Sequence, residues 1–286
     1  MQQALRVAIP AVSFGLMMLV GLDLTPRDIR AALGRRRALL AGLVAPWILV
    51  PLLVLGVVHL LHPAPDIEAA LLLLAACPTG GMANFHTYLA RANTALAVTM
   101  TTFSCVAAIV TLPALLWVYS RFSTSMTVLT LPPLVVATHV FGLLILPVLA
   151  GMAVRGRWSA AVQRSERALR GVGAIALLAL LGLAVAPNPR AFVQGFVASG
   201  PLVLFTLASG SAGLALARLL KLPAVDGFAL TMQLPVRNLA IAAVIAVNLL
   251  NRPAYSAHAS AFLIVQTSMI LAGVALFRWR GRRAED

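Results

Sequence analysis

Acidic charge is what this chain lacks most. Of 286 residues, 8 are Asp or Glu against 22 Lys or Arg, and charged residues make up 10% while hydrophobic ones reach 61%. That excludes an ordinary soluble domain, whose composition carries about 25% charge. Cysteine is scarce as well: Cys77 and Cys105 sit inside apolar segments without ligand spacing or a paired framework. They read as packing residues, not as a disulfide scaffold or a metal site. No Gly-rich phosphate loop, metal-ligand cluster or Ser/His/Asp arrangement is present, and no nucleophile stands beside a base. An enzyme is not expected, and no cofactor is implied. The net charge of +14 does not point to nucleic acid, because the basic residues are dispersed in short loops between apolar spans. No small-residue cleavage site precedes Gly21-Leu22-Asp23-Leu24-Thr25-Pro26, so the first apolar run reads as a retained helix and not a signal peptide.

What is there is one apolar run after another, each reaching the roughly 20 residues that span a bilayer. Nine spans can be drawn, at about 5–23, 38–61, 67–90, 94–119, 131–153, 171–188, 192–217, 223–250 and 257–277. The expected fold is therefore an all-α polytopic membrane protein with nine transmembrane helices. Sorting the basic residues by the loops these spans create gives an independent check. Seventeen of the 22 fall on one side, Arg6, Arg121, Arg190 and Arg252 fall on the other, and Arg237 is left inside a span. The asymmetry predicts an N-terminus outside and a C-terminus in the cytoplasm. Trp117 with Tyr119 on the outer side, and Trp158 with Trp279 on the inner side, match interfacial belts. The preference for Arg over Lys suggests a GC-rich, bacterial source, hence an inner membrane.

Two spans are irregular. Thr231-Met232-Gln233-Leu234-Pro235-Val236-Arg237-Asn238 interrupts 223–250 with a proline, an arginine and two amides. Pro235 removes a backbone donor, and a charge at mid-membrane costs about 3 kcal/mol even on lenient scales, so this break lines a site. Cys77-Pro78-Thr79-Gly80-Gly81-Met82-Ala83-Asn84-Phe85-His86 interrupts 67–90 in the same way, its glycines allowing another backbone to approach. Two broken spans, each next to last in its half, fit an inverted repeat of residues 1–121 and 122–286 with a midplane site. The dividing line falls near 122–130. In the seventh span, Ser199-Gly200 and Ala208-Ser209-Gly210-Ser211-Ala212-Gly213 read as close helix packing.

These segments resemble the bile acid:sodium symporter superfamily across nearly the whole chain. The likeness is carried by Gly21-Leu22-Asp23-Leu24-Thr25-Pro26, Cys77-Pro78-Thr79-Gly80-Gly81-Met82-Ala83-Asn84, Thr87-Tyr88-Leu89-Ala90-Arg91 and Leu96-Ala97-Val98-Thr99-Met100-Thr101-Thr102. In the eighth span it rests on position and on Asn238. The resemblance implies core and panel domains, two discontinuous helices crossing at mid-membrane, and alternating access for organic anions. It also implies two sodium ions behind the crossover, and there this sequence departs. The serine expected before Asn84 is Ala83, the serine usual in the fourth span is Ala97 while Thr101 is kept, the glutamate of the eighth span is Gln233, and the glutamine before Asn238 is Arg237. A further expected glutamine is Pro46.

With most side-chain oxygens and the carboxylate gone, sodium binding is doubtful. A guanidinium about 4 Å from an ion site repels a sodium ion by roughly 4 kcal/mol at an effective dielectric of 20, about three decades of affinity. All eight acids, Asp226 among them, fall in loops or at span ends, so none is placed at mid-membrane to pair with Arg237. Its donors either cap carbonyls freed by the break, in place of sodium, or bind a substrate carboxylate or sulfate. The substrate-binding candidates are Asn84, His86, Gln233, Arg237 and Asn238, and the candidate remnant of an ion site is Asn84, Thr101 and Gln233. His86 could instead carry a proton, His139 less readily, or both pack as neutral core groups. The expected function is secondary transport of a small organic anion in the lipid bilayer without sodium, by uniport, exchange or proton coupling. Ordinary sodium symport, and a non-transporting ligand sensor, are the alternatives. Which anion is moved, and the oligomeric state, are not legible.

Overall fold

The computed structural model describes residues 2–123 and 133–282, and among these the fold is helical, without strands beyond one isolated bridge. The helices are α1 (Gln2–Leu22), α2 (Pro26–Leu33), α3 (Arg36–Leu61), α4 (Pro65–Ala76), α5 (Met82–Leu89), α6 (Thr94–Phe122) and α7 (133–157). There follow α8 (Ser159–Arg164), α9 (Glu166–Val185), α10 (Pro189–Val197), α11 (Gly200–Leu219), α12 (Ala224–Gln233), α13 (Leu239–Leu249) and α14 (Pro253–Arg282). Side chains set several boundaries. The Thr25 hydroxyl accepts the Asp28 N–H at 3.2 Å while the Asp28 carboxylate accepts the Thr25 N–H at 2.9 Å, a reciprocal cap on α2. Asn93, Asn188 and Asn238 accept backbone N–H groups at the starts of α6, α10 and α13.

Among the described residues, α3, α6, α7, α11 and α14 are each long and apolar enough to cross a bilayer. Two bent pairs, Arg6–Leu22 with Arg27–Leu33 at 72° and Gly171–Val185 with Pro189–Val197 at 101°, bring the count to seven. The expected third and eighth spans are two short helices each, α4 with α5 and α12 with α13. The expected seventh span, 192–217, needs correction: it is two helices, α10 ending at Val197 and α11 beginning at Gly200. Pro201 explains the start, since a residue without an N–H is tolerated in a first turn and breaks a helix interior. Ser199-Gly200 is thus a junction and not a packing contact; a Cβ at Gly200 or Gly210 would meet nothing within 4 Å, whereas at Gly213 it would lie 2.9 Å from Thr231 Cα. Tyr119 is also not an interfacial anchor. It is fully buried, while Trp117, Trp158 and Trp279 are exposed at 58%, 59% and 49%.

Helix α1 packs along α7 and α9. The contact with α7 is close because glycines face each other: a Cβ on Gly21 would sit 2.1 Å from Val148 O, and one on Gly151 2.2 Å from Met18 O. The broken helices form the interior. Helix α4 is buried from Ala69 to Ala76 among α3, α6, α13 and α14, and α12 and α13 are buried over nearly their full length. The expected dividing line near 122–130 lies, from 124 onward, outside the described residues.

Candidate functional site

The two breaks cross each other. Chain leaving α4 turns extended at Cys77, chain leaving α12 passes through Pro235, and Thr79 pairs antiparallel with Arg237. The Gly80 N–H donates to Val236 O at 3.1 Å and the Asn238 N–H donates to Pro78 O at 2.9 Å, so backbone groups released by one helix are satisfied by the other. Gly80 is required by this approach: a Cβ there would lie 2.7 Å from Arg237 O, a backbone atom that no rotamer can move. The crossing points the C-termini of α4 and α12, and the N-termini of α5 and α13, at one place.

Arg237 occupies that place and is 4% exposed. Its guanidinium donates to the carbonyl of Cys77 through Nη2 and to that of Gln233, at 3.3 Å, through Nη1. These are the last carbonyls of the two helices that end here. A helix C-terminus carries roughly half a negative charge. Two of them converging on one guanidinium supply the counter-charge that no carboxylate in the sequence could. The Nε donor has no partner. Further bonds lock the arrangement: Thr79 Oγ1 donates to Gln233 O at 3.1 Å, the Thr79 N–H donates to Ser104 Oγ at 3.1 Å, and Gln266 Nε2 donates to Pro235 O at 2.9 Å. Sequence reasoning overlooked Ser104 and Gln266 and gave Thr79 no role. The signal was present as polar side chains on otherwise apolar helices, but nothing local marks which break they serve.

Asn84, Thr101 and Gln233 are brought together. The Thr101 hydroxyl donates to Asn84 Oδ1 at 2.9 Å and lies 3.4 Å from Gln233 Oε1, while Gln233 Nε2 reaches Ala97 O at 3.5 Å. All three are buried. As a sodium site the donor set fits poorly, since these oxygens are neutral and already bonded to one another, no carboxylate joins them, and a guanidinium holds the adjacent carbonyls. Among the described residues no group of three or more His, Cys, Asp or Glu is placed to hold a metal. Asn238 caps α13 through Ile241 N–H at 3.3 Å and its Nδ2 faces Met17 Sδ at 3.3 Å. His86 is buried beside Phe85 and both its ring nitrogens lack a partner. His139 is on the outer face of α7, its Nδ1 2.9 Å from Val135 O. Asp226, expected at a span end, is buried at the start of α12, paired with Arg35 at 2.5 Å and with Asn93 Nδ2 at 2.8 Å.

A cavity of about 360 Å³ lies between the crossover and α1, α8 and α9. Of the candidates, Arg237 and Asn238 are on its wall beside Gly80, Gly81 and Phe85. Asn84, His86, Thr101 and Gln233 are not part of that lining. Most of the wall is apolar, with a few polar groups at fixed places, the usual make-up of a small-molecule site.

Comparison with known proteins gives this geometry a lineage. Over 237 residues the chain is 25% identical to an "uncharacterized sodium-dependent transporter", YocS, of Bacillus subtilis, covering 82% of this chain and 72% of that one. It is 32% identical over 151 residues to a sodium-dependent organic anion transporter of Rattus norvegicus, covering 52% of this chain and 40% of that one. It is 33% identical over 121 residues to the hepatic sodium/bile acid cotransporter of Homo sapiens, covering 41% of this chain and 34% of the human protein. The alignments thus span under half the length of these mammalian relatives. A family model described as the Sodium Bile acid symporter family matches residues 11–195. The chain belongs to the sodium bile acid symporter family, whose members are multi-pass membrane transporters and not enzymes.

Proposed function

We propose that this protein is a secondary carrier that moves a small or amphipathic organic anion by alternating access and does not use sodium to do so. The observation that carries the proposal is the Arg237 guanidinium on the Cys77 and Gln233 carbonyls. A coupling cation would be stabilised at that place by two helix C-termini; a tethered cation already neutralises them. Sodium brought to about 4 Å of the guanidinium loses roughly 4 kcal/mol, which removes useful affinity at physiological concentration.

On this reading the membrane is crossed nine times, the seven spans counted above being joined by the two broken ones. The N-terminus lies outside and the C-terminus in the cytoplasm of a bacterial inner membrane, and the two halves form an inverted repeat. The packing of α1 with α7 and α9 supports a small panel, against which the body containing both crossing helices rocks. The substrate occupies the cavity, meeting Asn238 and the crossover, with Arg237 serving as structural cation and as positive charge on the wall. Asn84, Thr101 and Gln233 are the remnant of an ion site. Transport is then uniport, exchange or proton-coupled, with His86 on α5 as the candidate proton carrier.

A second reading is sodium symport. The clustering of Asn84, Thr101 and Gln233 oxygens favours it, as do the printed names of the relatives. Uptake of labelled organic anions into proteoliposomes, with sodium replaced by choline, separates the two. Uptake that persists in choline supports the proposal; uptake that requires sodium supports symport.

A further inference from the structure

Two arginines stand on the wall of the cavity among the described residues, and they differ in what they hold. Arg237 is engaged by backbone carbonyls of both breaks. Arg155, on the last turn of α7, has a shielded Nε with no hydrogen-bond partner. It shares the wall with Leu22, the last residue of α1, and with Asp23 just beyond, which has its own interaction. The rest of the wall is largely apolar, with Leu16, Leu19 and Val20 of α1 and Leu177 and Leu180 of α9, and Val20 stands against Gly81 at the crossover. A ligand filling such a space is apolar along its length and anionic at one end. One guanidinium not held by backbone carbonyls, with one carboxylate on the same wall, suits a single negative group and disfavours a polyanion.

We propose that Arg155 is the specificity-determining side chain of the cavity: it binds the carboxylate or sulfonate of an amphipathic monoanion whose apolar body lies along α1 and α9 toward the crossover. The inference rests on the transport reading for its physiological meaning but is tested by binding alone. A charge-assisted hydrogen bond from a partly buried guanidinium is worth about tenfold to a hundredfold in affinity. The competing role for Arg155 is at the membrane surface, where basic residues near helix ends attract phosphate headgroups. Arg157, two residues on and exposed, shares that role but not the cavity.

The test uses the full-length protein in nanodiscs and three probes of increasing size, naphthalene-2-acetate, decanoate and cholate, each beside its neutral primary amide. Saturable binding is measured for wild type, Arg155→Gln, Arg155→Lys and Arg157→Gln. The expected result is that at least one carboxylate binds wild type more tightly than its amide. Arg155→Gln then weakens that carboxylate about tenfold to a hundredfold without changing the amide, Arg155→Lys stays within a few fold of wild type, and Arg157→Gln matches wild type. The proposal is overturned if Arg155→Gln discriminates acid from amide as wild type does, if Arg157→Gln loses as much, or if no probe binds saturably. Binding that behaves as expected in a protein without flux in proteoliposomes sinks the transport reading and leaves the Arg155 site standing.

Discussion

Replacing Arg237 with glutamine separates a structural cation from a passenger. The wild-type guanidinium makes two charge-assisted bonds, to Cys77 O and to Gln233 O, each worth about 1.5–3 kcal/mol and opposed by the desolvation of one buried cation. In Arg237→Gln the Cys77 carbonyl loses its side-chain donor in a buried setting, at about 1–3 kcal/mol, unless the shorter amide reaches it, whereas the Gln233 carbonyl keeps the Thr79 hydroxyl. The expected loss is about 1–3 kcal/mol, read as a lower unfolding midpoint in detergent. Removing the charge also removes the barrier to sodium. At ten times its Kd, sodium returns about 1.4 kcal/mol. The midpoint of the variant should therefore rise when choline chloride is exchanged for sodium chloride at constant ionic strength, while that of the wild type stays put. A wild-type protein stabilised by sodium over choline would falsify the substitution of arginine for the ion.

Gly80→Ala puts a Cβ 2.7 Å from Arg237 O and 3.0 Å from Arg237 C, so the crossover must separate; a loss of about 1–3 kcal/mol in unfolding and near-complete loss of uptake are expected. Thr101→Val, close in shape, removes the bonds to Asn84 and Gln233 and should lower stability by about 1–2 kcal/mol in either cation, whereas an ion site would add a sodium-specific loss. At the end of α1 far from the cavity, Arg6 Nη2 donates to Asn251 Oδ1 at 3.0 Å and Asn248 Nδ2 donates to Arg6 O at 2.8 Å. On the proposed orientation these exposed bonds form a latch on the outer side. Asn251→Ala should favour opening by about 0.5–1 kcal/mol, two- to fivefold in population, read as faster alkylation of a cysteine introduced at Ser13, which is fully buried here. An unchanged alkylation rate would show that the latch holds nothing.

Both breaks were legible because proline, glycine and buried polar residues leave a mark on any apolar run. Pro78 with Gly80-Gly81, and Pro235 with Arg237, fall within a few residues of the observed helix ends. That the breaks cross followed from the family resemblance and from the paired glycines, but which residues meet was not legible: the pairing of Thr79 with Arg237 is a contact over more than 150 residues, carried by backbone groups that every residue has. For the guanidinium, capping of freed carbonyls was one of two open readings. That the carbonyls belong to the ends of both helices emerges only from the fold. Ser199-Gly200 misled because small residues serve close packing and helix junctions equally, and Pro201 decided between them. Tyr119 misled because hydropathy cannot tell the lipid face of α6 from its core face.

A tethered cation changes what can drive this carrier. Coupling requires that ion and substrate bind the same state better than either binds alone, and that the ion can leave. On the proposed mechanism Arg237 cannot leave, so the helix ends at the crossover stay neutralised in every state, and the bias on rocking falls to the substrate and to its charge in the membrane potential. A monoanion moved alone comes to equilibrium with that potential, worth about 2.3 kcal/mol per 100 mV, or tenfold in concentration per 60 mV or so. In proteoliposomes held inside-negative at about 60 mV, the labelled anion should settle about tenfold lower inside than out, whatever the sodium gradient. If distribution follows an imposed pH gradient and His86→Gln abolishes that response, a proton is coupled. Accumulation against the potential, driven by inward sodium and lost in choline, would refute the tethered-cation mechanism and return Asn84, Thr101 and Gln233 to service as an ion site.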